Sequence, residues 1–178
     1  MPAFFHISKS RYMKKACSII AALLISLFIY VFYRSEKTVV NELIILIISV
    51  DTYTTIKSII INTIPLNETI IFSLPGGLWV FCATALSNDF YLEISKYKIQ
   101  FVFVPVLFAI GLEFCQLIHL TNGSFDVWDI AFYMIFWLIS YYSTRRYGFD
   151  QNILSPFTLH GFICLACFLS VYLAHVSQ

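Results

Sequence analysis

Charged residues are scarce in this sequence: they make up 12% of its 178 residues, whereas hydrophobic residues make up 60%. A soluble domain normally carries about twice that charged share, so the composition excludes an ordinary soluble domain and indicates a bilayer protein. The chain also lacks a long basic tail and any basic-aromatic interleaving, which excludes a nucleic-acid-binding surface. No internal repeat or Gly/Ser linker divides it, so we predict a single integral membrane domain over residues 1–178.

The five cysteines all lie in apolar runs, where a free cysteine behaves as a small buried hydrophobe. A disulfide scaffold is therefore not expected. Cys164 and Cys167 have the Cys-x-x-Cys spacing of redox motifs. They fall near the middle of an apolar run, however, without the positive setting that stabilises a thiolate. We interpret this pair as packed and inert.

The apolar runs predict an all-α fold, a polytopic membrane helical bundle of about five transmembrane helices. The predicted spans cover residues 16–33, 69–87, 99–118, 128–143 and 157–175. The first span has a basic start and no clear small-x-small cleavage site, so it is interpreted as a retained signal anchor. Segment 38–64 is rich in isoleucine but interrupted by polar residues. It is predicted to form short helices at the outer membrane interface, with a crossing or a re-entrant hairpin as the alternative.

Basic residues cluster in three short segments, which the positive-inside rule assigns to the cytoplasm. The clusters are Lys9, Arg11, Lys14 and Lys15; Lys96 and Lys98; Arg145 and Arg146. With five crossings, this assignment places the N-terminus in the cytoplasm and the C-terminus outside. Arg34, Lys37 and Lys57 are left on the outer side.

The sequence Leu74-Pro75-Gly76-Gly77 near the outer end of the second span predicts a kinked or broken helix. Proline removes one helical hydrogen bond, and paired glycines weaken a helix while permitting close backbone approach. Two interpretations follow. The segment is either a packing kink or an unwound stretch whose backbone groups line a polar cavity.

Polar residues concentrate where the third predicted span ends and the fourth begins. Glu113 and Gln116 are three residues apart on one helix face, and His119 extends that row. An ionisable residue inside a span is a candidate functional residue. Asp126 and Asp129 open the next helix, where acids cap free amides and suit the helix dipole. We predict one outer-facing polar pocket formed by Glu113, Gln116, Asp126 and Asp129. Glu113 is its anchor, with Gln116 or a bound ion as the expected partner.

The motifs Glu113-Phe114-Cys115-Gln116 and Asp126-Val127-Trp128-Asp129 resemble those of the VanZ-like family of small membrane proteins. That family has Glu-x-x-Gln near the end of one span and Asp-x-x-Asp opening the next. Residues 74–81 resemble its proline-containing earlier helix, so the resemblance covers about residues 70–142. It implies a cell-envelope protein of the bacterial plasma membrane, in some members linked to glycopeptide-antibiotic tolerance.

This chain also departs from the family pattern. Many VanZ-like sequences have an arginine in the loop before the first aspartate and an asparagine in the later helix, whereas the loop here reads Thr121-Asn122-Gly123-Ser124-Phe125. A site that used that guanidinium to pair with a carboxylate or phosphate is therefore predicted to be altered. The chain is expected to be a divergent member.

Three functional hypotheses follow. In the first, the pocket recognises an envelope lipid or a cell-wall precursor, and the protein binds or assists without reacting. In the second, the protein is a subunit or scaffold that contacts another membrane protein. In the third, paired carboxylates activate water or hold a cation such as Mg²⁺ for chemistry on a phosphorylated lipid. The third is weakened because we expect no basic phosphate clamp on the outer side. The sequence identifies no cofactor, metal site or catalytic residue.

Overall fold

The computed structural model describes residues 2–34, 39–94, 96–121, 123–144, 151–154 and 158–176. Within these residues the chain forms seven α-helices, so the predicted all-α class is confirmed. The helices are α1 (Pro2–Tyr33), α2 (Val39–Ile48), α3 (Val50–Thr63), α4 (Glu68–Ser87), α5 (Val104–Leu117), α6 (Val127–Thr144) and α7 (Leu159–Val176). A small sheet that the sequence analysis did not predict contains β1 (Phe90–Ile94), β2 (Tyr97–Gln100) and β3 (Gln151–Asn152).

Helix α4 is the central helix of the bundle, and α1, α5, α6 and α7 all pack against it. Asn67 caps its start, where the side-chain oxygen accepts a hydrogen bond from the Thr69 amide over 3.1 Å. Many of its buried residues are small, among them Ser73, Ala83 and Ala85. Small side chains allow neighbouring backbones to approach closely, which is the usual way that helices pack within a membrane.

Two of the described helices are long and apolar enough to cross a membrane individually: Met13–Tyr33 within α1, and α4. The bent pair of α2 and α3 adds a third if it is counted as one broken span. Phe101–Leu117 and Leu159–Leu169 form shorter apolar helices. The structure is therefore compatible with an integral membrane protein, and it leaves the five predicted crossings unconfirmed.

The proline-glycine segment lies inside a continuous helix, so the interpretation as an unwound stretch is wrong. A Cβ atom added at Gly76 would lie 2.7 Å from Cε1 of Tyr133, and one added at Gly77 would lie 2.6 Å from Cδ2 of Phe136. The two glycines therefore allow aromatic rings of α6 to lie directly on the α4 backbone. This contact is a packing role, as in the other interpretation of the segment.

The predicted third span, residues 99–118, begins too early. Its first residues belong to β2, which pairs antiparallel with β1, and a 3₁₀ turn at Phe101–Phe103 follows. The helix begins only at Val104, with Pro105 in its first turn, where the missing N–H of proline costs nothing. Average hydropathy did not separate this short strand and turn from the apolar helix that follows them.

Segment 38–64 contains two short helices, as predicted, and they meet at a bend of 116°. Ser49 lies at the bend with a φ of 72° and caps the start of α3. Tyr53 attaches α3 to α1: it is 1% exposed, and its hydroxyl donates a hydrogen bond to the Val31 carbonyl over 2.6 Å. This contact holds α3 beside the final turns of α1.

The opposite end of the bundle carries the sheet, in which β3 pairs parallel with β1. There the Lys15 ammonium forms an ion pair of 2.6 Å with Asp89, just before β1. Lys96 and Lys98 lie in the β1–β2 hairpin at this same end. The third basic pair, Arg145 and Arg146, lies outside the described residues. Lys15, Lys96 and Lys98 therefore share one end of the molecule.

Candidate functional site

Glu113 lies on the buried face of α5 and is 2% exposed. Each of its carboxylate oxygens has a donor. The Tyr133 hydroxyl donates to Oε1 over 2.9 Å, and the Asp126 backbone N–H donates to Oε2 over a longer 3.4 Å. A buried carboxylate needs such donors to offset its lost hydration. Glu113 therefore links the end of α5 to the start of α6.

Tyr133 is a site residue that the sequence analysis missed. It is 9% exposed and lies in α6, four residues after Asp129. Residues four apart occupy the same helix face, so the spacing between these two residues was the available signal. Nothing in the sequence pattern identified the Tyr133 hydroxyl as a donor to Glu113.

Gln116 is 8% exposed and packs beneath the turn that joins α5 to α6. Gly123 in this turn has a φ of +118°, which glycine adopts readily and other residues rarely do. A Cβ atom added at Gly123 would lie 2.8 Å from Nε2 of Gln116. The amide side chain and the turn therefore fit closely, and Gln116 lies inside the site.

Asp126 caps α6, as the sequence analysis proposed. Its Oδ1 accepts a hydrogen bond from the Trp128 amide over 2.9 Å. At this position the side chain satisfies one of the free amides at the helix start, and its negative charge suits the positive end of the helix dipole. The Asp126 side chain therefore has a structural role, and its own amide contacts Glu113.

Asp129 lies in the first turn of α6, next to Ser73 of α4. Ser73 is fully buried, and its hydroxyl faces the Asp129 carboxylate as a weak donor. The geometry nevertheless falls short of a hydrogen bond: within the described residues, Ser73 Oγ and Asp129 Oδ1 are both buried without a hydrogen-bond partner. Such atoms are unusual in folded proteins, and each one calls for an explanation.

His119 does not extend the row of Glu113 and Gln116, so that prediction is wrong. The helix ends at Leu117, and His119 follows in the left-handed region with a φ of 59°. The His119 amide donates to the Gln116 carbonyl over 3.0 Å, and the Leu120 amide donates to the Cys115 carbonyl over 2.8 Å. These two bonds form a Schellman helix end, which explains the position of His119.

A guanidinium group reaches the acids from the end of α1. Nη2 of Arg34 donates to the Phe72 carbonyl over 3.0 Å, and Nη1 donates to the Tyr30 hydroxyl over 3.3 Å. Its charge interacts with Asp129, although no ion pair within 4.0 Å joins these two described residues. The loop arginine of the family pattern is missing here, and the site is altered as predicted in that respect. Arg34, at the end of α1, supplies a guanidinium near Asp129 instead.

A second cation lies beside Arg34. The Lys57 ammonium of α3 donates to the Arg34 carbonyl over 3.1 Å. Arg34 is therefore a cation that interacts with Asp129, whereas Lys57 contacts the backbone of Arg34. We call this mixed-charge group the outer polar cluster, after the side of the membrane that the sequence predicts for it; it contains Arg34, Ser73, Glu113, Asp126, Asp129 and Tyr133.

A cavity of about 220 Å³ lies next to the outer polar cluster, between α1, α4 and α5. Tyr30 and Tyr133 lie on its wall and provide polar groups. Tyr30 accepts a hydrogen bond from Arg34, and Tyr133 donates one to Glu113. The rest of the lining is mostly apolar, including Ala22, Leu23, Leu78, Ala109 and Leu112. Tyr30 and Tyr133 therefore connect the cavity wall to the charged residues Arg34 and Glu113.

Other chemistry has less support in the described residues. No group of three His, Cys, Asp or Glu side chains among them is arranged to hold a metal ion. Cys164 and Cys167 are free cysteines; Cys164 is fully buried, with its sulfur 3.4 Å from the Ser87 hydroxyl oxygen. That burial agrees with the interpretation of the pair as packed.

Comparisons of the chain with protein-family models, with curated proteins and with solved structures give no match. The VanZ-like resemblance therefore stays a prediction. It depends on residues 113–116 and 126–129, and on the segment 74–81.

Proposed function

We propose that this protein is an integral membrane protein of the cell envelope whose outer polar cluster recognises an envelope lipid or a cell-wall precursor. One observation carries the proposal. Nε of Arg34 just after α1, Oγ of Ser73 in α4 and Oδ1 of Asp129 in α6 are buried without hydrogen-bond partners among the described residues. Leaving such groups unsatisfied costs about 1–3 kcal/mol each, so a ligand with matching polar groups would gain affinity there.

The proposal includes the predicted topology of five crossings with the N-terminus in the cytoplasm. Its support is that Lys15, Lys96 and Lys98 lie at one end of the bundle and the outer polar cluster at the other. Helix α5 has 14 residues, or about 21 Å at 1.5 Å per residue, against a hydrocarbon core of about 30 Å. Local bilayer thinning accommodates a short helix at a cost of roughly a fraction of a kcal/mol for each Å of mismatch. We also propose the VanZ-like family and the bacterial plasma membrane on the resemblance alone.

The test is a binding screen on the purified full-length protein in detergent, with envelope lipids and cell-wall precursors as probes and native mass spectrometry as the readout. We expect wild type to retain a component that Arg34→Gln and Asp129→Asn lose. The matched controls are Lys96→Gln and Glu68→Gln, which change the same charges at exposed positions. Equal retention by all five proteins, or retention of no component by wild type, would contradict the proposal.

A role as a subunit or scaffold is a second candidate, and α2 favours it. Leu46 is 83% exposed and Ile47 is 80% exposed, so this short helix presents a bare apolar face. Such a face suits either lipid or a partner helix. Gentle detergent extraction that yields a stoichiometric partner protein, lost when both residues are replaced by serine, would favour this candidate.

An enzyme acting on a phosphorylated lipid is a third candidate, and Arg34 supplies the cation that it lacked in the sequence analysis. Both carboxylate oxygens of Glu113 already accept hydrogen bonds, however, which leaves Glu113 poorly disposed to activate water. Full function in Glu113→Gln would remove this candidate. Loss of function while the binding of the retained component persists would support it.

A further inference from the structure

We infer that the ligand of the outer polar cluster is a phospholipid with a zwitterionic phosphate-amine headgroup, whose acyl chain lies in the adjoining cavity. The inference depends on the proposed function and adds the chemical class of the ligand. It follows from the signs of the charges, from the buried polar atoms and from the position of the cavity.

The charges at the cluster favour a ligand that carries both signs. A purely anionic headgroup at Arg34 would also lie near the Asp129 carboxylate and be repelled by it. A purely cationic group at Asp129 would meet the Arg34 guanidinium. A phosphate joined to a primary ammonium avoids both conflicts, because its oxygens accept from Arg34 while its N–H groups donate to Asp129.

The buried polar atoms show the same pairing of donor and acceptor. Arg34 Nε is a donor and Asp129 Oδ1 is an acceptor, and neither has a hydrogen-bond partner within the described part of the chain. Their side chains interact electrostatically, yet they do not form an ion pair within 4.0 Å. The fully buried Ser73 hydroxyl faces Asp129 as a weak donor, and its oxygen can accept from an ammonium bound there.

The cavity supplies the place for an apolar chain. Its volume of about 220 Å³ exceeds the roughly 150 Å³ of an engineered apolar cavity that binds benzene. Tyr30 lines the cavity, and its ring lies 4.6 Å from the Arg34 guanidinium carbon. The apolar space therefore begins one side chain away from the cation. A charged head attached to a hydrocarbon chain fits this arrangement, whereas a free phosphate or a soluble amine uses only half of it.

The experiment uses the full-length protein in detergent and measures retained lipid by native mass spectrometry. The probes are phosphatidylethanolamine, phosphatidylcholine, phosphatidylglycerol and chain-free glycerophosphoethanolamine. Phosphatidylcholine has no N–H donor, and phosphatidylglycerol has hydroxyl donors but no ammonium, so each lacks the charge-assisted N–H hydrogen bond to Asp129. We expect phosphatidylethanolamine to be retained about tenfold better than either, the factor for one charge-assisted hydrogen bond. The chain-free headgroup should not be retained.

Single-residue variants test which residues cause this lipid selectivity. Asp129→Asn should abolish the preference for phosphatidylethanolamine over phosphatidylglycerol, while Arg34→Gln should lower the retention of both. Glu68→Gln and Lys96→Gln are the matched controls and should behave as wild type. Leu23→Trp fills the cavity from the exposed face of α1 and should lower the retention of every two-chain lipid without changing their order.

The outcomes separate this inference from the proposed function. Equal retention of the three lipids in wild type, unchanged in Asp129→Asn, overturns the zwitterionic ligand; the proposed function stands if Arg34→Gln still lowers retention. Binding of a cell-wall precursor with no phospholipid retained likewise overturns the inference alone. If neither class binds above the Arg34→Gln background, both fail. A variant that does not fold is recognised by its melting profile, and the wild-type lipid series then decides.

Discussion

The Tyr133 hydroxyl of α6 donates a hydrogen bond to Glu113 of α5 over 2.9 Å, with 9% of the tyrosine and 2% of the glutamate exposed. The bond places an acidic group beside the buried apolar cluster in which Val106 and Ala109 of α5 pack with Tyr133 of α6. Glu113 is therefore a structural connection as well as a candidate site residue. Variants at this contact must be tested for both stability and binding.

Replacing Tyr133 with phenylalanine removes a donor and leaves the buried Glu113 carboxylate with fewer hydrogen bonds. We expect the free energy of unfolding to fall by about 1–3 kcal/mol. Denaturant unfolding in mixed micelles measures this change. The control is Tyr142→Phe, because Tyr142 is 71% exposed and should cost almost nothing. An equal loss in the two variants would show that the bond to Glu113 contributes little.

Alanine substitution at Gly123 tests the close fit between the turn and Gln116, and the same substitution at Gly111 is its control. Gly123→Ala introduces a Cβ atom 2.8 Å from Gln116 Nε2 at a residue with a φ of +118°, so we expect a loss of about 1–3 kcal/mol. Gly111 is helical, and no atom beyond its chain neighbours and its own helix backbone lies within 4 Å of its added Cβ. Gly111→Ala should therefore be neutral or stabilise by up to about 1 kcal/mol. The melting temperatures of the two variants are compared in the same detergent. A Gly123→Ala variant as stable as wild type would contradict the close fit between the turn and Gln116.

The sequence predicts those helices whose apolar runs are continuous. Helices α4 and α6 begin and end within one residue of the predicted spans 69–87 and 128–143. The error at residues 97–103 has a different origin, because strand, 3₁₀ turn and helix follow one another with similar hydropathy. Their boundaries depend on pairing with β1, which is a tertiary contact that a local pattern does not contain.

Some contacts of the candidate site were likewise predictable from the sequence, and others were not. Glu113 and Asp126 come together across a short turn, so their proximity was predictable from the sequence. Arg34 reaches Asp129 from a helix far away in the sequence, and only the packing of α1 on α4 brings them together. Tyr133 was partly predictable: the sequence shows its four-residue spacing from Asp129, but it does not show that its hydroxyl donates to Glu113.

The proposed topology predicts which exposed positions are reached from each side of the membrane. Leu120 is 72% exposed in the α5–α6 turn, and Tyr97 is 77% exposed in the β1–β2 hairpin. In a background with the exposed Cys17 changed to serine, an impermeant maleimide should label Leu120→Cys in intact cells. It should label Tyr97→Cys only after permeabilisation. The reverse pattern would reject the proposed orientation, and labelling of both positions from outside would reject the number of crossings.

His119 and Asp129 flank the same turn, so variants at these two positions best distinguish a residue with a structural role from one that binds the ligand. His119 adopts a left-handed conformation with a φ of 59° at the end of α5, a position where glycine is favoured. We therefore expect His119→Gly to keep ligand retention unchanged and to raise stability by up to about 1 kcal/mol. Asp129→Asn should lower retention about tenfold, because it removes the charge that faces Arg34 and Ser73. Native mass spectrometry and melting temperature, measured on the same samples, give both quantities. If His119→Gly instead lost the ligand as fully as Asp129→Asn, the site would extend across the turn and the helix-end explanation of His119 would be incomplete.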